Sequence, residues 1–253
     1  VREPELLGTG GGLGNARRLG LLGNGLVLVT GADIVVHPDD LAGLVGLLER
    51  SGAPVVAGLV PARSDPLPLR LDAGLVAPDP AGPWASAGVY ALRADALDII
   101  PPGRSTLVGS LLGPLWRRGQ LAGAPLRHAW ADAGTLGRFL AVSAGLLAGC
   151  WPYRPPPGRL VPAVGPGRGP VLVAEGAALH PGAVVAGPAV LDAGSRVEAG
   201  AVLTRSVVGP GVRVGADATV TGSLLGPGAR VGAGARVTAA LLGPGAGPGA
   251  GCR

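Results

Sequence analysis

Two aspartates stand where chemistry would have to be done. Asp33 closes the stretch Leu26-Val27-Leu28-Val29-Thr30-Gly31-Ala32-Asp33, in which an unbroken apolar run passes into a turn of small residues. In open α/β sheets ligands bind just beyond the carboxyl ends of the strands, so a carboxylate delivered there reads as a ligand- or metal-binding group. The other reading, a cap for the next helix, is better served by Asp39 or Asp40. Asp132 lies in Trp130-Ala131-Asp132-Ala133-Gly134-Thr135, a second carboxylate at a loop, just before the natural N-cap Thr135. Its structural reading is a charge interacting with a helix N-terminus. Gly8-Thr9-Gly10-Gly11-Gly12 precedes a helical stretch from Leu13 to Leu22, and a glycine-rich turn before a helix lets backbone N–H groups approach a ligand closely. His180, before Pro181-Gly182, sits at a corner. Cys150 and Cys252 match no metal or redox spacing.

The elements that must position these groups follow from apolar periodicity. Val1–Leu7 reads as an extended entry. Leu26–Val29 reads as a strand buried on both faces, as in a parallel sheet under helices. A helix then starts at His37-Pro38-Asp39-Asp40, with Leu41, Leu44, Val45 and Leu48 on one face and Gly52 as its stop. Pro54–Val60 is another buried strand, completing a βαβ unit. Short extended pieces follow around Leu69–Leu71 and Gly74–Val76, then a strand over Ala85–Leu92. Two helices come next, Ala94–Ile100 and Ser105–Arg118, then an extended segment Leu121–Trp130 and a last helix after Thr135. Trp151–Pro170 carries seven prolines and reads as a linker. Beyond it, apolar residues recur at 173, 179, 185, 191, 197, 203, 208, 214, 220, 225, 231, 237 and 242, in steps of six and five. No helix sustains that period; it is the hexapeptide signature of a parallel β-helix of about four coils. Gly245–Gly251 reads as a frayed end.

Composition bounds the function. At 253 residues there is room for two domains. All 21 basic residues are Arg, Met is absent, and Ile occurs only at 34, 99 and 100, a bias of GC-rich coding that makes the Ala, Gly, Pro and Arg counts poor structural guides. A chain beginning Val-Arg-Glu reads as processed or as a fragment. Residues 1–150 hold 12 Arg against 12 acids; residues 151–253 hold 9 against 4, so the net charge of +5 is spread thinly over the C-terminal part. Aromatic residues are almost missing there, which removes stacking platforms for bases, so no nucleic-acid partner is expected. No run reaches the ~18 apolar residues of a spanning helix and nothing reads as a signal peptide, so the expectation is a cytoplasmic protein without a membrane partner.

Four motifs, in order, resemble those of sugar-1-phosphate nucleotidyltransferases, the NDP-sugar pyrophosphorylases. Glu5-Leu6-Leu7-Gly8-Thr9-Gly10-Gly11 is similar to the family's E-x-L-G-T-G/A-G turn, and Val29-Thr30-Gly31-Ala32-Asp33 to its V-x-N-G/S-D strand end. Ala87-Gly88-Val89-Tyr90 is similar to its G-I/V-Y strand, and Trp130–Thr135 to its W-x-D-I-G-T turn. The hexapeptide tail occupies the family's usual place. The resemblance implies an α/β fold: a partial Rossmann-like nucleotidyltransferase domain over 1–150, the linker 151–170, and a left-handed parallel β-helix over 171–253. It implies transfer of a nucleotidyl group from a nucleoside triphosphate to a sugar-1-phosphate, with pyrophosphate released. Asp33 and Asp132 would hold Mg²⁺, the backbone of Gly8, Thr9, Gly10 and Gly11 would line the nucleotide, and Gly88 would lie against the sugar. The L-G-T-G-G turn and the absence of an E-K-P segment are closest to the mannose-1-phosphate guanylyltransferase branch, and the β-helix implies a homo-oligomer.

The departures carry expectations too. The family's G-x-G-T-R-L phosphate loop and first strands are not in this sequence, and Thr30 and Ala32 replace the usual Asn and Gly. The expectation is an N-terminally truncated enzyme without turnover of its own. Two other classes compete: a non-catalytic subunit that senses a sugar nucleotide or mediates assembly, and a hexapeptide acyltransferase using His180 as general base.

Overall fold

In the computed structural model, which describes residues 5–62, 67–155, 157–163 and 169–247, the chain divides into units Val1–Trp130 and Ala131–Arg253. The strands of the first unit are β1 (Leu26–Thr30), β2 (Ile34–Val36), β3 (Val55–Pro61), β4 (Leu69–Asp72), β5 (Leu75–Pro78), β6 (Trp84–Arg93) and β7 (Leu121–Pro125). A mixed sheet runs in the order β1-β6-β3-β7-β5-β4, with β6 antiparallel to both β1 and β3, and β3 parallel to β7. Side chains alternate across it. Val55, Ala57, Leu59, Tyr90 and Leu92 point into one core with Leu97, Ile100, Leu111 and Leu115. Val56, Ala87, Val89 and Ala91 point into another with Leu44 and Leu48 of helix α2 (Pro38–Ser51).

Three elements depart from the sequence reading. β1 is an edge of the described sheet rather than a strand buried on both faces: Val27 and Val29 reach the first core, while Leu26 and Leu28 are exposed. An apolar run marks a strand but not how many neighbours it has. β6 sits between β1 and β3, so the two strands joined by α2 are not adjacent. The glycine-rich turn is itself helical, as the start of α1 (Gly8–Arg18). Glycine in a helix costs about 1 kcal/mol relative to Ala. Here the small residues admit a close neighbour: Gly10 and Gly11 N–H both donate to the Ser105 carbonyl, at 3.0 and 3.2 Å. A side chain on Gly10 would come within 2.6 Å of the Thr106 carbonyl, and one on Gly11 would strike the Gly103 carbonyl. Of the extended entry, residues 1–4 lie outside the described residues, and Glu5–Leu7 form no strand.

Helix α2 fits its reading, stopping at Gly52 in the left-handed conformation (φ 69°). The segment after β6 forms a 3₁₀ turn, Ala94–Ile99, then a π-helical turn, Val108–Leu112, continuing into α3 (Gly113–Arg117). Pro114 cannot donate to the preceding turn, and a π turn is a common accommodation of a lost helical bond.

The second unit opens on α4 (Leu136–Leu147) and continues into a parallel β-solenoid. The proline-rich stretch contributes Gly158–Val161, antiparallel to Val171–Ala174, which covers the first edge of the solenoid. Three faces of short parallel strands then stack, the first coil rising by 18 residues (Val171↔Ala189) and later ones by 17 (Val207↔Leu224↔Leu241). All thirteen in-phase residues meet in one core, with Leu191, Leu203, Val208, Val214, Val220 and Leu225 at 0% exposure. Buried serines tie adjacent coils: Ser206 Oγ donates to the Thr204 carbonyl and accepts from Ser223 N–H (3.1 Å), and Ser223 Oγ repeats this with Thr221 and Ala240. Among the described residues no helix is long and apolar enough to cross a membrane.

Candidate functional site

Asp33 occupies an exposed turn between β1 and β2. Gly31 N–H donates to the Gly88 carbonyl at 3.1 Å and Ile34 N–H to the Gly31 carbonyl at 3.2 Å. The carboxylate itself takes part in no hydrogen bond or ion pair with the described residues. Gly88 sits at a bulge in β6, where the register with β3 shifts between Ala57 and Leu59, and its φ of +70° belongs to the left-handed region that favours glycine. A Cβ there would meet Ile34 at 3.4 Å. Trp130 Nε1 donates to the Ala87 carbonyl at 2.9 Å. The structure therefore brings Asp33, Gly88 and Trp130 to one corner of the first unit.

Behind that corner lies a clamp that sequence reasoning missed. His37, not an aspartate, caps α2: its Nδ1 accepts from Asp39 N–H at 3.1 Å. Asp40 is buried and accepts from Arg127 and His128 N–H at 2.9 and 3.1 Å, with His128 Nδ1 3.2 Å away. Burial pushes the Asp40 carboxyl up, but the Arg127 N–H and the His128 side chain and N–H more than offset it, so it rests below its ordinary value of 3.8. This ties the start of α2 to the segment leading into Trp130. The rings of His37 and His128 stack at 4.1 Å and 19°. With Asp39 their donor atoms fall within 4.8 Å of one another. Nearly parallel rings do not converge their in-plane lone pairs, and the His37 Nδ1 lone pair already serves the helix cap, so this cluster is a brace rather than a metal centre. No local sequence signal marks Asp40 as buried, because its partners are 87 and 88 residues away.

Asp132 belongs to the second unit. Its carboxylate accepts from Gly134 N–H and pairs with Arg138 Nη1, both at 2.6 Å. Thr135 Oγ1 caps α4 by accepting from Arg138 N–H at 3.4 Å, as the sequence predicts. Of the glycine-rich segment, Gly8 and Thr9 are exposed, and Thr9 Oγ1 accepts from Leu107 N–H at 3.0 Å. Gly10 and Gly11 are buried against Ser105. His180 Nδ1 accepts from Gly182 N–H at 3.0 Å, a turn-stabilising bond. Cys150 is an exposed free thiol; Cys252 lies outside the described residues.

An α/β unit built on a mixed sheet, with an unpaired carboxylate at a strand end, followed by a parallel β-solenoid, is the class these features define. No family model matches the chain. The mannose-1-phosphate guanylyltransferase of Mycobacterium tuberculosis is similar to it, 34% identical over a 221-residue alignment that covers 82% of this chain and 58% of that protein. The likeness read from the motifs to a sugar-1-phosphate nucleotidyltransferase is therefore borne out by a relative along most of the chain, and the chain spans a little over half of that relative's length.

Proposed function

We propose that the chain serves nucleotidyl transfer from a nucleoside triphosphate to a sugar-1-phosphate, with GTP and mannose-1-phosphate as the first pair to test. The observation that carries this reading is the 34% identity to a mannose-1-phosphate guanylyltransferase over 82% of the chain. Asp33 suits a hard cation, being an exposed carboxylate with its oxygens unengaged. Asp132 suits one less simply, since Arg138 and Gly134 N–H hold it and a cation would share or displace Arg138. Mg²⁺ bound by these carboxylates would neutralise phosphate charge as pyrophosphate leaves. Gly8 and Thr9, facing solvent, would line the nucleotide, with Gly10 and Gly11 behind them letting α1 lie close to Ser105. Gly88, lacking a side chain at the bulge, would admit the sugar. Self-association through the solenoid would be read by light scattering.

The test is pyrophosphate release across pairs of nucleoside triphosphate and sugar-1-phosphate, with and without added Mg²⁺. Turnover that requires Mg²⁺ and falls at least ~100-fold in both Asp33→Asn and Asp132→Asn supports the proposal. Binding of a sugar nucleotide without turnover would move the chain to a sensing role. Transfer of an acyl group from a thioester would overturn the reading.

A further inference from the structure

Charge in the second unit is not spread thinly, as composition suggests; three of its arginines are stacked. Arg196, Arg213 and Arg230 are 17 residues apart, and the parallel register pairs Arg196 with Arg213 and Arg213 with Arg230 on one face of the solenoid. All three are exposed, while the next residue of each, Val197, Val214 and Val231, is buried. None takes part in an ion pair among the described residues. Like charges directly opposite one another across strands are unfavourable, so the ladder stores repulsion that a matching anion relieves. Gly194, Gly211 and Gly228 stand two residues before the three arginines, and Gly215 and Gly232 stand two residues after Arg213 and Arg230, whereas the exposed Glu198 stands two residues after Arg196. Arg213 and Arg230 therefore stand between residues without side chains, where a partner backbone can approach closely.

Spacing selects among anions. Rungs of a β-sheet lie about 4.8 Å apart, so the three arginine Cα atoms sit near 0, ~4.8 and ~9.6 Å along the solenoid axis. On an α-helix laid along that axis, acidic residues at i, i+3 and i+7 fall at 0, ~4.5 and ~10.5 Å. An extended acidic strand offers one-sided carboxylates only every ~6.8 Å. Single-stranded nucleic acid is disfavoured because residues 171–247 contain no Phe, Tyr or Trp on which bases could stack. We propose that this face docks an acidic α-helix of a partner protein, its carboxylate stripe engaging Arg196, Arg213 and Arg230.

The experiment uses the full chain and two labelled ~16-residue alanine-based helical peptides of identical composition. One carries Glu at i, i+3 and i+7; the other distributes the same residues around the helix. The striped peptide should bind at least ~10-fold tighter than the permuted one. That advantage should disappear in the triple variant R196Q/R213Q/R230Q with an unchanged circular dichroism spectrum, and survive in R159Q/R205Q/R236Q, which removes equal charge from elsewhere in the same unit. Equal binding of the two peptides, or equal loss in the two triple variants, overturns the proposal. Ladder-dependent binding of inorganic polyphosphate with neither peptide bound also overturns it, assigning the face to phosphate chains.

Discussion

The two units store their information differently. In the solenoid each residue meets the copy of its own position one coil away: Val190 pairs with Val207, Arg196 with Arg213, Thr204 with Thr221. In the first unit the decisive contacts are singular and distant: Asp40 to Arg127 and His128, Gly10 to Ser105, Trp130 to Ala87. A repeat spreads stability over equivalent contacts, each felt by its neighbours alone. A sheet fed by long connections concentrates it in a few contacts on which a whole corner depends.

The largest effect tests that contrast at matched burial. Leu59 and Leu203 are both fully buried, one in each unit. Either Leu→Ala change should cost about 3 kcal/mol in denaturant unfolding, from lost transfer energy and the cavity left behind. Their reach should differ. Amide exchange in Leu203→Ala should quicken in the coils around residues 186–220 and stay slow in the first unit, whereas Leu59→Ala should loosen β3, β6 and α2 together. Uniform loss of protection across the solenoid in Leu203→Ala would show that the repeat unfolds as one block.

Next in size is the Asp40 clamp. Asp40→Ala leaves the Arg127 and His128 N–H groups without their acceptor and should destabilise the first unit by about 2–3 kcal/mol. The folded Asp40 carboxyl lies below its ordinary value of 3.8, so its contribution is present above that value and is lost as pH falls through the lower, folded value. Acid unfolding of the first unit should therefore be blunted in Asp40→Asn relative to the native chain, with no matching change in the solenoid.

The same contrast explains what could be read from sequence. The thirteen in-phase apolar positions became one core because a period is visible without knowing any long-range partner. The arginine ladder was visible in the same way, at intervals of 17, but a count of charge discards phase. The placement of β6 between β1 and β3 was not visible, since nothing in either strand specifies its neighbour. Nor was the start of α1, where glycine propensity argues against helix and close approach to Ser105 overrides it. At the candidate site, the small-residue turn carrying Asp33 was legible, and Gly88 stood out only through the motif resemblance; the bulge there was not visible. Their meeting through Gly31 N–H and the Gly88 carbonyl, like the His37 cap and the buried Asp40, required the fold.

The smallest prediction asks whether a repeat can carry a member that does nothing for its neighbours. Ser195 and Ser223 are both buried at 0% exposure in the solenoid. Ser223 Oγ donates to the Thr221 carbonyl at 2.9 Å and accepts from Ala240 N–H at 3.1 Å. Ser195 Oγ has no hydrogen-bond partner among the described residues. Removing the first hydroxyl strands the Ala240 N–H, while the Thr221 carbonyl keeps its bond from Ala239 N–H at 2.9 Å; removing the second relieves a hydroxyl already desolvated without recompense. Ser223→Ala should cost about 1–2 kcal/mol in urea unfolding and Ser195→Ala should fall within about 0.5 kcal/mol of native, or stabilise. Equal losses would mean that side-chain volume, not the hydrogen bond between coils, is what the buried serines supply. The solenoid would then be held by its apolar ladder alone.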